Sequence, residues 1–122
     1  MKKILIIDDD VVFQKTMSTK LELITYQVIT ASDGEEGLNK TISEKPDLIL
    51  LDIKMPKLDG IGFLKKLHAD KNTSHPPILI TSNLSSMDQI SEGVSLGVRG
   101  YIIKSNETLD SIVQEIKTIL NT

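Results

Sequence analysis

Short apolar runs alternate with longer amphipathic stretches from one end of the chain to the other. Runs of strand length recur around residues 3–7, 27–31, 47–51, 78–81 and 100–103. The stretches between them carry helical periodicity and helix start signals. Asp10 precedes a segment in which Val11, Met17, Leu21 and Ile24 are expected to form a buried stripe. Ser32-Asp33-Gly34-Glu35 has capping-box spacing and opens a helix through about Ser43. Gly60 precedes a helix carrying Phe63, Leu64 and Leu67, which should fade by Asn72, ahead of Pro76-Pro77. Ser86-Met87-Asp88-Gln89 repeats the capping-box spacing, and its helix is expected to stop at Gly97, a C′ glycine. A last helix places Leu109, Ile112, Val113, Ile116, Ile119 and Leu120 on one stripe, which needs something to cover.

Five strands alternating with five helices imply right-handed βαβ crossovers and a parallel sheet covered on both faces. The runs agree with this, because strands buried on both faces are continuously hydrophobic rather than alternating. With no Gly/Ser/Pro linker and no shift of composition, residues 1–122 read as one domain.

Composition narrows the classes that remain. A chain of 122 residues buries roughly two-thirds of its unfolded surface, enough for a core without staples. Cysteine is absent, which excludes a disulfide framework and any thiolate ligand or nucleophile and fits a reducing compartment such as the cytoplasm. With aromatics at 3%, the core must be aliphatic. The longest apolar runs, such as Ile4–Ile7 and Leu48–Leu51, span four residues. A membrane span needs about 18 or more. The charged start leads into a run that ends in acids, unlike a secretory leader. A net charge of −3 argues against direct binding of nucleic acid.

Candidate chemistry collects where the runs end. In an open parallel α/β sheet, ligands bind beyond the carboxyl ends of the strands, at the topological switch point. The first run ends in Asp8-Asp9-Asp10, the third in Asp52, the fourth in Thr81-Ser82 and the fifth in Lys104. The second ends in Ser32-Asp33, assigned to helix capping. Asp10, next to the first helix, also reads as an N-cap. Carboxylates crowded at neighbouring strand ends repel one another unless a cation neutralises them, and hard oxygen donors suit Mg²⁺ or Mn²⁺. Without Asp8, Asp9, Asp10 and Asp52 the chain carries 13 acids against 14 Lys and Arg. The acidity is therefore a local cluster.

These motifs together resemble the receiver domain of bacterial two-component response regulators, over essentially the whole chain. The resemblance rests on Ile4-Leu5-Ile6-Ile7-Asp8-Asp9-Asp10, on Leu51-Asp52-Ile53-Lys54-Met55-Pro56 with Asp59-Gly60, and on Pro77-Ile78-Leu79-Ile80-Thr81-Ser82. The ending Leu96-Gly97-Val98-Arg99-Gly100-Tyr101-Ile102-Ile103-Lys104 completes it. The resemblance implies a flavodoxin-like, doubly wound sheet of order 2-1-3-4-5. It implies that Asp52 accepts a phosphoryl group from a phosphohistidine of a sensor kinase or phosphotransfer protein. Asp9 would bind Mg²⁺ directly, Asp8 through water, and the backbone carbonyl of Lys54 would complete the protein ligands. Lys104 would pair with the phosphoryl group and Ser82 would hydrogen-bond to it. Ser82 rather than Thr81 follows from the family's spacing to the lysine and the aromatic, counted back from Lys104 and from Tyr101. Tyr101 would be the switch residue that alters the surface of helix 4, strand 5 and helix 5.

The resemblance also implies an output partner or a further output domain, and a homodimer formed on phosphorylation. Such a domain regulates, and catalyses only its own phosphorylation and dephosphorylation. Three departures stand out. Asn83 occupies a position where the family usually has Ala or Gly, narrowing access to the phosphoryl group. Ser105 follows Lys104 where many receivers have Pro, so no cis bond is expected there. Lys54 and Leu84 occupy positions that tune dephosphorylation. The strongest alternative is a haloacid-dehalogenase-like phosphatase, since Ile6-Ile7-Asp8-Asp9-Asp10-Val11-Val12 fits its first motif. Asp8 would then be the nucleophile and Asp10 the acid/base, with Ser82 or Thr81 and Lys104 as the later motifs. That reading leaves Asp52 unexplained and offers only Asp110 and Glu115 as late acids. A flavin- or nucleotide-binding module would want a Gly-rich phosphate loop after the first strand, where this chain has acids.

Overall fold

Continuous apolar runs become the middle of a sheet because neither of their faces can be left in water. In the computed structural model, which describes residues 1–70, 75–83 and 87–122, the order of elements is strictly alternating. It runs β1 (Lys3–Ile7), α1 (Val11–Leu23), β2 (Gln27–Ala31), α2 (Gly34–Glu44), β3 (Leu48–Leu51) and α3 (Gly60–Ala69). There follow β4 (Ile78–Ser82), α4 (Met87–Ser95), β5 (Gly100–Ile103), a 3₁₀ turn at Lys104–Asn106 and α5 (Leu109–Leu120). Asn72, Leu84 and the Ser86 capping box lie outside the described residues. The strands pair in parallel in the order β2-β1-β3-β4-β5, the order the resemblance implied. β3 and the aliphatic residues of β1 and β4 are buried, whereas the edge strands β2 and β5 keep partial exposure.

Alternate residues of each strand feed two cores. Leu5, Ile7, Ile49, Leu51, Ile78 and Ile80 pack with Ile61, Phe63, Leu64 and Leu67 of α3. Ile4, Ile6, Leu48, Leu50 and Leu79 pack with Phe13, Met17 and Leu21 of α1 and with Ile112, Val113 and Ile116 of α5. The helices are thus wound on both faces, as expected of crossovers in a parallel sheet.

The helix boundaries correct several expectations. The α1 stripe consists of Phe13, Gln14, Met17 and Leu21, while Val11 is 66% and Ile24 36% exposed. Counting back from Met17 by three and four residues reaches Gln14 and Phe13, so Val11 falls off the face, and Ile24 lies beyond the last helical residue. At α2 the cap is Asp33, whose Oδ1 accepts from Glu36 N at 2.8 Å, and the Glu36 carboxylate accepts from Ser32 N at 2.7 Å. The cap thus sits one residue on from Ser32, and the Glu36 carboxylate reaches past Asp33 to the residue before the cap. At α3 the cap is Asp59, and Gly60 is the first helical residue. A Cβ on Gly60 would lie 2.2 Å from the carbonyl oxygen of Asp52, so only glycine lets α3 start against the end of β3. Gly97 carries φ +85° just beyond α4, the left-handed stop read from its position.

Candidate functional site

Register decides which strand ends become neighbours. Ile7 pairs with Leu51 on one side and Ala31 on the other, so the next residues, Asp8 and Asp52, leave adjacent strands together. Two lateral bonds prolong the ladder by one residue: Asp52 N donates to Ile7 O and Asp8 N to Ala31 O, both at 2.9 Å. β4 and β5 pair with Ser82 opposite Ile103, which brings Ser82 and Lys104 to the same rim. The rim therefore gathers groups that are remote in sequence.

Three carboxylates meet there. Oxygens of Asp8, Asp9 and Asp52 lie within 4.8 Å of one another, with Asp8 and Asp52 buried and Asp9 exposed. The Asp8 carboxylate accepts from Asp10 N at 2.9 Å and from Lys104 Nζ at 2.5 Å. Burial pushes its pKa up, opposed chiefly by the hydrogen bond from Lys104. Asp52 accepts from Ile53 N at 2.8 Å and from the Ser82 hydroxyl. Its pKa is pushed up to about 6, first by burial and then by the charge of Asp8, with Lys104 pulling the other way. Two buried carboxylates side by side, each costlier to ionise than a carboxylate in water, form a donor set that fits a hard divalent cation such as Mg²⁺.

Ser82 is joined to Tyr101 as well as to Asp52. A serine hydroxyl has one proton and an ionised Asp52 can only accept, so Ser82 donates to Asp52 and accepts from the Tyr101 hydroxyl. Burial raises the Tyr101 pKa, and the Asp52 charge adds to the effect, which keeps that hydroxyl protonated. Thr81, the neighbouring alternative, has a buried hydroxyl with no hydrogen-bond partner. The pleat sends the two hydroxyls to opposite sides, and Ser82 is the one on the carboxylates.

Two residues of the site were not singled out from the sequence. The Lys104 ammonium lies 4.2 Å from the centroid of the Phe13 ring, at the start of α1. The Gln14 amide nitrogen donates to Asp8 O and lies 3.1 Å from Ala31 O and 3.3 Å from Ser32 Oγ, tying the ends of β1 and β2 together. A polar residue in phase with Met17 and Leu21 was the available signal for Gln14. Nothing local marks Phe13 as more than core. Beside Lys104 a cavity of about 420 Å³ is lined in part by Asp10, Phe13, Asn83 and Ser105. Lys54 follows on the β3–α3 loop with its side chain exposed.

Asp10 stands apart from the cluster. Its Oδ1 accepts from Val12 N at 3.0 Å and Phe13 N at 3.1 Å, capping α1 as its position suggested. The phosphatase alternative needs Asp10 as a free acid/base and a late acid at the metal. Asp110 instead pairs with Lys20 at 2.6 Å, and both it and Glu115 sit on α5. That reading has no support. Among the described residues no helix is long and apolar enough to cross a membrane.

Comparison with known proteins agrees with this geometry. The family model described as the response regulator receiver domain matches residues 4–117. The chain is 43% identical over 103 residues to the probable transcriptional regulator ycf27 of Guillardia theta, covering 84% of this chain and 39% of that protein. It is 44% identical over 103 residues to the alkaline phosphatase synthesis transcriptional regulatory protein PhoP of Bacillus subtilis, covering 84% and 42%. A CheY-like response regulator receiver domain protein from Methanospirillum hungatei superposes with a TM-score of 0.91 at 29% identity, covering 99% of this chain and 94% of that one. The chain thus spans about two-fifths of the length of the curated relatives it matches.

Proposed function

The chain belongs to the response regulator receiver family of two-component systems, and from that premise we propose that Asp52 is its phosphoacceptor. The observation that carries this reading is the buried pair Asp8 and Asp52, with Ser82 bonded to Asp52 and Lys104 bonded to Asp8. An ionised Asp52 oxygen attacks the phosphorus of a phosphohistidine. The P–N bond breaks, the imidazole leaves with the electron pair, and an acyl phosphate remains on Asp52. The three phosphoryl oxygens then need donors and cations, and Lys104 and Ser82 supply one of each.

Asp8, Asp9, Asp52 and the Lys54 carbonyl would hold Mg²⁺, with Mn²⁺ as substitute. The ion supplies charge neutralisation where negative charge develops on the phosphoryl oxygens. A phosphoryl oxygen that draws Ser82 also draws its partner Tyr101, which changes the surface made by α4, β5 and α5. In this reading residues 1–122 are one receiver unit acting in the cytoplasm. Its partners are a sensor histidine kinase or phosphotransfer protein on one side and an output protein or domain on the other. A phosphorylated homodimer would use the α4–β5–α5 surface.

Incubation with acetyl phosphate and Mg²⁺ should add one phosphoryl group, read by intact mass. Asp52→Asn should abolish the addition. Undiminished phosphorylation of that variant would remove Asp52 from the role.

A further inference from the structure

We propose that Phe13 is a positioning residue for phosphoryl transfer, its ring face holding the Lys104 ammonium in place when Asp8 no longer does. The inference rests on the phosphoacceptor reading above. Lysine carries its charge on a flexible four-carbon stem with much rotamer freedom, so a fixed ammonium needs fixed neighbours. Among the described residues, the Asp8 carboxylate at 2.5 Å and the Phe13 ring at 4.2 Å hold the Lys104 ammonium. Its side chain is only 11% exposed, and a desolvated cation gains most from the negative face of an aromatic ring.

The two holders differ in what happens to them when the site is used. Asp8 is one of three carboxylates whose oxygens cluster as a donor set, so its charge is committed to a divalent cation whenever one is held there. Its hold on Lys104 weakens at the moment the ammonium is needed. The Phe13 ring is neutral and has no oxygen to offer such a cation, so its hold persists. The ring is also rigid. Phe13 is buried in the core against the sheet, and its own backbone N–H is one of the two bonded by the Asp10 cap. Cap, ring and ammonium form one chain from the first turn of α1 to the phosphoryl position. Phe13 thereby sets the direction from which Lys104 reaches an incoming phosphoryl oxygen.

A fluorine series at position 13 tests this, because ring fluorines withdraw charge from the face while nearly preserving shape. Phe13 is replaced by 4-fluoro-, 3,5-difluoro- and 3,4,5-trifluorophenylalanine, and beryllofluoride affinity is measured calorimetrically at saturating Mg²⁺. We expect a stepwise loss reaching about 3- to 10-fold across the series. The melting midpoint, which a merely packing role would move, should hold. Phe13→Leu should lose at least as much as the trifluoro ring. Equal affinity across the series would overturn the proposal while leaving the phosphoacceptor reading intact. Wild-type protein that binds no beryllofluoride, or Asp52→Asn that binds it equally well, would instead remove both.

Discussion

Ile7 and Asp8 are neighbours in the chain and are 0% and 1% exposed; Leu51 and Asp52 are 0% and 8% exposed. One step along each strand separates the aliphatic interior from a layer as deeply buried and charged. In the interior, burial is the driving force, about 1.5–3 kcal/mol for each fully buried Leu or Ile side chain. In the charged layer burial works against folding, because the carboxylates lose hydration and repel each other, and raised pKa values at Asp8 and Asp52 are the signature. The site is affordable only because it sits on the layer beneath. A cation held between these carboxylates would relieve that cost by neutralising their charge.

The largest break in that comparison should come from the interior. Leu50→Ala removes a fully buried side chain between β3 and the α1–α5 layer, and unfolding by urea should show a loss of about 2–5 kcal/mol. A loss below about 1 kcal/mol would mean that the layer is looser than its burial implies.

Second in size is the charged layer itself. The folded pKa of Asp52 is about 6, above its ordinary 3.8. Its contribution to stability is therefore complete below pH 3.8 and is lost as pH rises through 6. Metal-free Asp52→Asn should be more stable than wild type at pH 8 by about 3 kcal/mol, with the advantage gone near pH 3.8. Mg²⁺ should narrow the gap at pH 8, since it stabilises the folded protein that retains all three carboxylates. Parallel stability curves for the two proteins from pH 4 to 8 would contradict the assignment of strain to Asp52.

The smallest effect concerns a hydroxyl. Thr81 is buried with an unpartnered Oγ1, one residue before a serine whose hydroxyl is engaged. Thr81→Val should stabilise by about 1 kcal/mol and leave phosphorylation unchanged. Ser82→Ala should do the reverse, impairing phosphorylation. If Thr81→Val impairs phosphorylation instead, the roles of the two hydroxyls are exchanged.

Much of this was legible without coordinates. The strands fall where the apolar runs fall, because a run of four or five aliphatic residues bounded by polar ones is satisfied only between two covering layers. The residues that follow the runs, Asp8, Asp52, Ser82 and Lys104, could be placed at one rim on topology and resemblance. Helix phase was less legible. Val11 and Ile24 look as suitable for a stripe as Phe13 does, and the choice depends on where the Asp10 cap starts the first turn. At α2, adjacent Ser32 and Asp33 and adjacent Glu35 and Glu36 offer two capping frames, separated only by the geometry of the entering strand.

What the sequence determined by itself is the kind of layer each segment belongs to and the chemical type of each strand end, because both are local properties of side chains in order. Only the tertiary structure decided which ends touch. Lys104 reaches Asp8 across a separation of 96 residues, and the Phe13 ring lies under the same ammonium. The raised pKa of Asp52 exists only once burial and a neighbouring carboxylate surround it. Charge, desolvation and cation–π attraction depend on distance through space, and those distances appear when the register of β1, β3, β4 and β5 is set.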